Sequence, residues 1–155
     1  LLPFKQKKTV RAVRFDWKLD DGQLNLADAA EELKRAGDDS IFKLGLMLEG
    51  EAQLPLAFAP DWLQQVNAAL SFPSEMIIYI VAGAKHAAGQ YWPNPYNKRV
   101  TMIAAKEREL DAGWSEASHV LEKPVSVVGL WLMADGDNTQ SSFLSRVKNI
   151  ELNSY

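Results

Sequence analysis

Val13, Phe15, Trp17 and Leu19 alternate with Arg14, Asp16 and Lys18. Period-two patterning predicts a half-buried strand, and Asp20-Asp21-Gly22 predicts a turn after it. The pattern then changes. Asn25 is placed to cap a helix running from Ala27 to Ala36, with acidic residues early, basic residues late and Gly37 as the stop. Leu26, Ala30 and Leu33 share one face of that helix. Period two returns over residues 41–49, where Phe42, Leu44, Leu46 and Leu48 face one way and Lys43, Gly45, Met47 and Glu49 the other. Residues 53–59 predict a short strand whose Pro55 suggests an edge or a bulge. Met76 to Ala82 is apolar on both faces, which predicts a central strand. Strands are also predicted over Arg99 to Ala105, Val125 to Ala134 and Ser145 to Leu152; the slipped spacing of Val147, Ile150 and Leu152 hints at a bulge in the last. Residues 60–72 read equally as a helix capped by Asp61 or as a turn entering a strand at Leu70 and Phe72.

Strand candidates dominate, with one short helical insert near residues 26–36. The expected fold is therefore all-β, an antiparallel β-sandwich. At 155 residues, with no repeat, linker or low-complexity segment, residues 9–155 are read as one domain, large enough to fold without staples. Residues 1–8 are read separately. Leu1-Leu2-Pro3-Phe4 lacks an initiator Met and leads into Lys5-Gln6-Lys7-Lys8. That start suggests a cut boundary or a juxtamembrane stub, with a signal or membrane anchor upstream of residue 1.

Charge and composition narrow the partners. Lys and Arg number 17 against 20 Asp and Glu, a formal net charge of −3. No positive field draws in phosphates, so no nucleic-acid partner is expected. There are no cysteines, which removes thiolate metal sites, thiol nucleophiles and disulfide scaffolds together. No phosphate-binding glycine loop or nucleophile elbow is visible, so no enzymatic activity is expected. His86 and His119 each lack a second ligand at metal spacing. Asp20-Asp21, Asp38-Asp39 and Asp135-Gly136-Asp137 read as turn chemistry. Asp135-Gly136-Asp137-Asn138 also offers several oxygens that suit a structural calcium, although the EF-hand pattern is not met, Gln140 and Arg146 standing at its sixth and twelfth positions. No cofactor is otherwise expected.

The most informative segment runs from His86 to Arg99. Two prolines stiffen it against helix or strand. Its aromatics stand beside amide and cationic groups, the combination a sugar site needs: a ring for the apolar face of a pyranose, and donors for its hydroxyls. The candidate ligand-binding residues are Trp92, Tyr96, Asn94, Lys98, Arg99, Gln90 and His86. A packed role for Trp92 and Tyr96 beneath the loop is the competing reading. Trp17 and Trp131 lie on strands and are expected in the core, while Trp62 and Trp114 sit beside turn signals.

From residue 60 onward the chain resembles the galactose-binding-like jelly rolls of non-catalytic carbohydrate-binding modules. Asp61-Trp62 leads to Leu70-Ser71-Phe72; a strand over residues 76–81 precedes an aromatic and asparagine loop over residues 91–97; Gly113-Trp114 precedes a short strand; and Val147-Lys148-Asn149-Ile150-Glu151-Leu152 closes the order. Lys148 stands where many such modules carry Asp. The resemblance implies a jelly roll and a carbohydrate-binding module of a larger extracytoplasmic bacterial protein, periplasmic or secreted, with a glycan or other small polar ligand as partner. A ligand-sensing domain of a membrane signalling protein, and a structural or adhesion domain with a protein partner, remain the alternatives.

Overall fold

The computed structural model describes residues 1–50 and 61–155, with only the backbone of residues 62, 63 and 67. The predicted strand over residues 53–59 and the side chain of Trp62 lie outside the described residues. The fold is all-β. In chain order it comprises β1 (Leu2–Gln23), α1 (Ala29–Glu32), a single 3-10 turn (Arg35–Gly37), β2 (Ser40–Glu49), α2 (Asp61–Ala69), β3 (Ser74–Ala82), β4 (Tyr91–Pro93), β5 (Val100–Ala104), β6 (Lys106–Glu109), a 3-10 turn (Asp111–Gly113), β7 (Ser115–Asp135) and β8 (Ser142–Asn153).

Among the described residues, eight strands form one hydrogen-bonded network in the order β4-β5-β3-β2-β7-β1-β8, with β6 paired to β7. The long strands β1 and β7 fold this network into two layers. The C-terminal half of β7 pairs with β2, from Leu48↔Val127 to Ser40↔Asp135. Its N-terminal half pairs with β6 and with the later part of β1, whose other edge takes β8. Phe15, Val13, Ala117 and Leu121 from one layer join Leu44, Leu46, Ile80 and Ile103 from the other in a single buried cluster. Each fully buried Val, Leu, Ile or Phe side chain in it contributes about 1.5–3 kcal/mol relative to exposure. The pairing is antiparallel except for β3 and β5, which run parallel. As expected, β3 is central, lying between β2 and β5.

The other face of β2 and β3 is covered as well. Met47, Val66 and Val128 are buried together there, with Leu70, Phe72, Ile77 and Trp131 packed against them. Residues 61–69 thus take the helical alternative, and α2 lays Val66 on the sheet. Close packing here depends on Gly45, where a Cβ would stand 2.8 Å from Tyr79 Cε1 and 3.1 Å from Trp131 Cβ.

Several local expectations are corrected. Leu2 and Pro3 pair with Leu130 and Gly129, and Lys8 with Val127, so residues 2–8 belong to the sheet rather than to a separate stub. Asp20-Asp21-Gly22 makes no chain reversal; β1 continues across it through a register shift, with Gly22 at φ 79° opposite Phe143. The helical insert shrinks to one turn. Its cap is Asp28 rather than Asn25, whose side chain instead reaches Gln23 Nε2 at 3.0 Å. Leu33 and Ala30 are exposed, and the buried position is Glu32. The slip in β8 is real: Asn149 adopts φ 52° and donates through Nδ2 to Asp16 Oδ2 at 2.7 Å.

Candidate functional site

The helical insert and the His86–Arg99 loop meet at one end of the sheet. Glu32 joins them. Its Oε1 accepts from Lys85 N at 2.8 Å and its Oε2 from His86 N at 3.1 Å, while His86 Nδ1 also contacts Oε2. A buried carboxylate is tolerated only with partners of this kind. The His86 ring stacks on Trp92, with centroids 4.1 Å apart and planes 6° apart. Trp92 in turn packs with Tyr79, Val81, Val100 and Met102.

Next to this unit lies a polar cluster built on the start of β2 and the end of β7. Lys43 is 2% exposed. Its Nζ donates to the Asp38 carbonyl at 3.0 Å and lies 3.4 Å from Asp38 Oδ1, over the ring of Tyr79. Asp38 Oδ2 also accepts from Asn94 Nδ2 at 2.7 Å. Asp39, likewise buried, accepts from Thr139 N at 2.6 Å and from Asn138 Nδ2 at 3.1 Å, with Asn138 N at 3.4 Å. Asp135 and Asp137 complete the group: one oxygen from each of Asp39, Asp135 and Asp137 lies within 4.8 Å of the others.

The electrostatics follow from burial and crowding. Burial raises the Asp39 pKa, but the hydrogen bonds from Thr139 and Asn138 together outweigh it and hold the carboxyl below its ordinary value. Asp135 moves the other way. Burial pushes it up, Lys43 opposes, and the charges of Asp137 and Asp39 add to the rise. Burial and the charges of Asp38 and Asp135 push the Tyr79 hydroxyl up too. The cluster is thus an excess of carboxylates around one buried ammonium.

Tyr96 stands on the rim of this cluster and is 54% exposed. Its hydroxyl lies 3.0 Å from the Arg35 carbonyl and 3.2 Å from Asn138 Oδ1. The Arg35 guanidinium sits 5.2 Å from its ring centroid. A family model described as a protein of unknown function (DUF3047) matches residues 2–151. The chain belongs to that family. No curated protein and no solved structure matches it.

In this DUF3047 chain the residues singled out from the loop divide into two groups. Trp92 is only 5% exposed and its face is taken by His86, so neither offers an open surface; both are packing residues. Asn94 and Asn97 are occupied as turn caps, Asn94 Oδ1 accepting from Tyr96 N and Asn97 N, and Asn97 Oδ1 from Arg99 N. Tyr96, Gln90, Lys98 and Arg99 are exposed. Trp17 is in the core as expected, and Trp114 is half-buried beneath Lys148, whose Nζ lies 3.9 Å from its ring centroid.

The pattern missed Lys43, Asp38, Asp39 and Ser40 as site residues. Lys43 carried a signal: it shares its face of the strand with Gly45 and Met47, opposite Phe42 and Leu44, so apolar neighbours stand on both faces. Asp38-Asp39 was legible as a turn. The partner turn that it holds, Asn138-Thr139, lies about a hundred residues away, beyond the reach of any local pattern. No helix among the described residues is long and apolar enough to cross a membrane.

Proposed function

We propose that the chain is a non-catalytic carbohydrate-binding module of a larger extracytoplasmic protein, and that the glycan meets it at Tyr96. The supporting observation is the exposed Tyr96 ring, tethered through its hydroxyl to Arg35 and Asn138. A held aromatic loses little conformational entropy when a pyranose stacks on it. Asn138 beside the ring and Arg35 over it supply hydrogen-bonding groups, and the exposed Lys98 and Arg99 follow in the same loop with cationic groups that an acidic sugar would use. The reading relies on this site and not on fold likeness.

The test is binding to a panel of neutral and acidic polysaccharides by affinity electrophoresis, followed by calorimetry on the best ligand. Tyr96→Ala should weaken binding roughly tenfold, the scale of one aromatic stacking contact, with melting temperature nearly unchanged. Lys98→Ala should weaken acidic ligands selectively. Equal binding by Tyr96→Ala and the parent chain, or no binding across the panel, refutes the proposal.

A further inference from the structure

We propose that Asp39, Asp135 and Asp137, with the hydroxyl of Ser40, form a binding site for a divalent cation of the calcium class. The carboxylates alone do not establish a site, since acidic clusters are common on protein surfaces. Ser40 supplies an independent observation. It is 2% exposed, and its Oγ has no hydrogen-bond partner among the described residues. A buried hydroxyl left without a partner costs about 1–3 kcal/mol, so it calls for an explanation.

The backbone directs that hydroxyl toward the carboxylates. Ser40 pairs with Asp135 and Lys43 with Met133, so Ile41 and Phe42 together oppose a single residue of β7. This is a β-bulge. Ile41 and Phe42 both pack into the inner core. Ser40 therefore leaves the sheet on the opposite face, the face of its cross-strand partner Asp135. Without the bulge, strict alternation would send Ser40 into the core with Phe42 and Leu44.

The cluster also has the rigidity and charge of a cation site. Asp39 is fixed by the Asn138-Thr139 backbone, and its Oδ2 accepts one hydrogen bond there, leaving a lone pair for a ligand bond. Lys43 directs its ammonium to Asp38, and among the described residues no ion pair joins it to Asp39, Asp135 or Asp137. Hard oxygen donors in an irregular arrangement suit calcium; magnesium demands near-ideal octahedral geometry. The inference does not depend on glycan binding, and its test uses none.

The chain, freed of metal with a chelator, is titrated with calcium chloride and separately with magnesium chloride by calorimetry and thermal unfolding. Calcium should bind saturably at one site. At a hundredfold excess over Kd it should raise Tm by about 5–10 °C. Asp137→Asn should weaken calcium at least about tenfold, and Ser40→Ala should weaken it to a smaller degree. Asp135→Asn separates ligation from folding: relief of repulsion should keep or raise Tm in chelator while the calcium response is lost. No saturable binding up to about 10 mM calcium, roughly tenfold beyond the weak limit of extracellular calcium modules, overturns the proposal. So does calcium affinity unchanged in Asp135→Asn and Asp137→Asn. Equal affinity for magnesium overturns the calcium class.

Discussion

Lys43→Met is the sharpest probe of the polar cluster. Methionine keeps the length and apolar stem of lysine over the Tyr79 ring and removes only the ammonium. What is lost is the donor to the Asp38 carbonyl at 3.0 Å and the countercharge 3.4 Å from its carboxylate. The Lys43 side chain is 3% exposed and that of Asp38 12%, so water reaches little of the pair. Removing one member of a buried pair costs about 3–5 kcal/mol. Two features lower that figure here: Asp38 keeps its bond from Asn94 Nδ2 at 2.7 Å, and Asp137 is exposed. A net loss of about 2–3 kcal/mol is expected, and a Tm lower by about 4–12 °C for a chain of this size.

Urea unfolding followed by tryptophan fluorescence, at neutral pH with chelator present, reads this directly. The double variant Lys43→Met with Asp135→Asn supplies the control. Burial raises Asp135, Lys43 opposes, and the charges of Asp137 and Asp39 add to the rise, so with Lys43 gone neutralising Asp135 should restore part of the loss. The reasoning fails if Lys43→Met unfolds within about 0.5 kcal/mol of the parent chain, the usual range of surface substitutions. It fails equally if the double variant is no more stable than the single one, because the lost countercharge is then not the cause.

Trp92→Ala should cost about 3–5 kcal/mol by denaturant unfolding, the range for truncating a large buried aromatic; weakened glycan binding with stability unchanged would contradict its packed position. Gly45→Ala should destabilise by about 1–3 kcal/mol through overpacking, since its Cβ would press on Tyr79 and Trp131, and a neutral outcome would show that this face has room. Burial pushes the Glu107 carboxyl up, against the Gly83 N–H at 2.6 Å and Trp17. A carboxyl raised by folding favours the native state while protonated, and that advantage is lost as pH rises from its unfolded value through its folded one. Glu107→Gln should therefore gain on the parent chain as pH rises through that window, and parallel stability–pH curves for the two chains would refute the assignment.

What could be read from the sequence tracks the range of the interaction that decides each feature. Alternation at residues 13–19 and 41–49 and the apolar run at residues 76–82 are local signals of strands, and β1, β2 and β3 form there. The slip at Asn149 is local as well, and it marks the bulge in β8. Alternation cannot say whether the face opposite the core is wet. Lys43 and Met47 belong to the polar-alternate set of β2, yet both are buried, because α2 and the His86–Arg99 loop cover that face. The same limit applies to Trp92. Its aromatic, proline-stiffened setting is what a sugar platform looks like in one dimension. Its face is closed by His86, held in turn by Glu32, more than fifty residues earlier in the chain. Tyr96, four residues on, carries the Arg35 guanidinium over its ring and is still more than half exposed. The bulge at Ile41 and Phe42 is the least legible feature, since both residues fit an ordinary strand. Yet it reverses the side of Ser40, and with it decides whether the hydroxyl lies in the core or beside Asp135. A chemical site can thus rest on one extra residue in a strand whose pattern announces only packing.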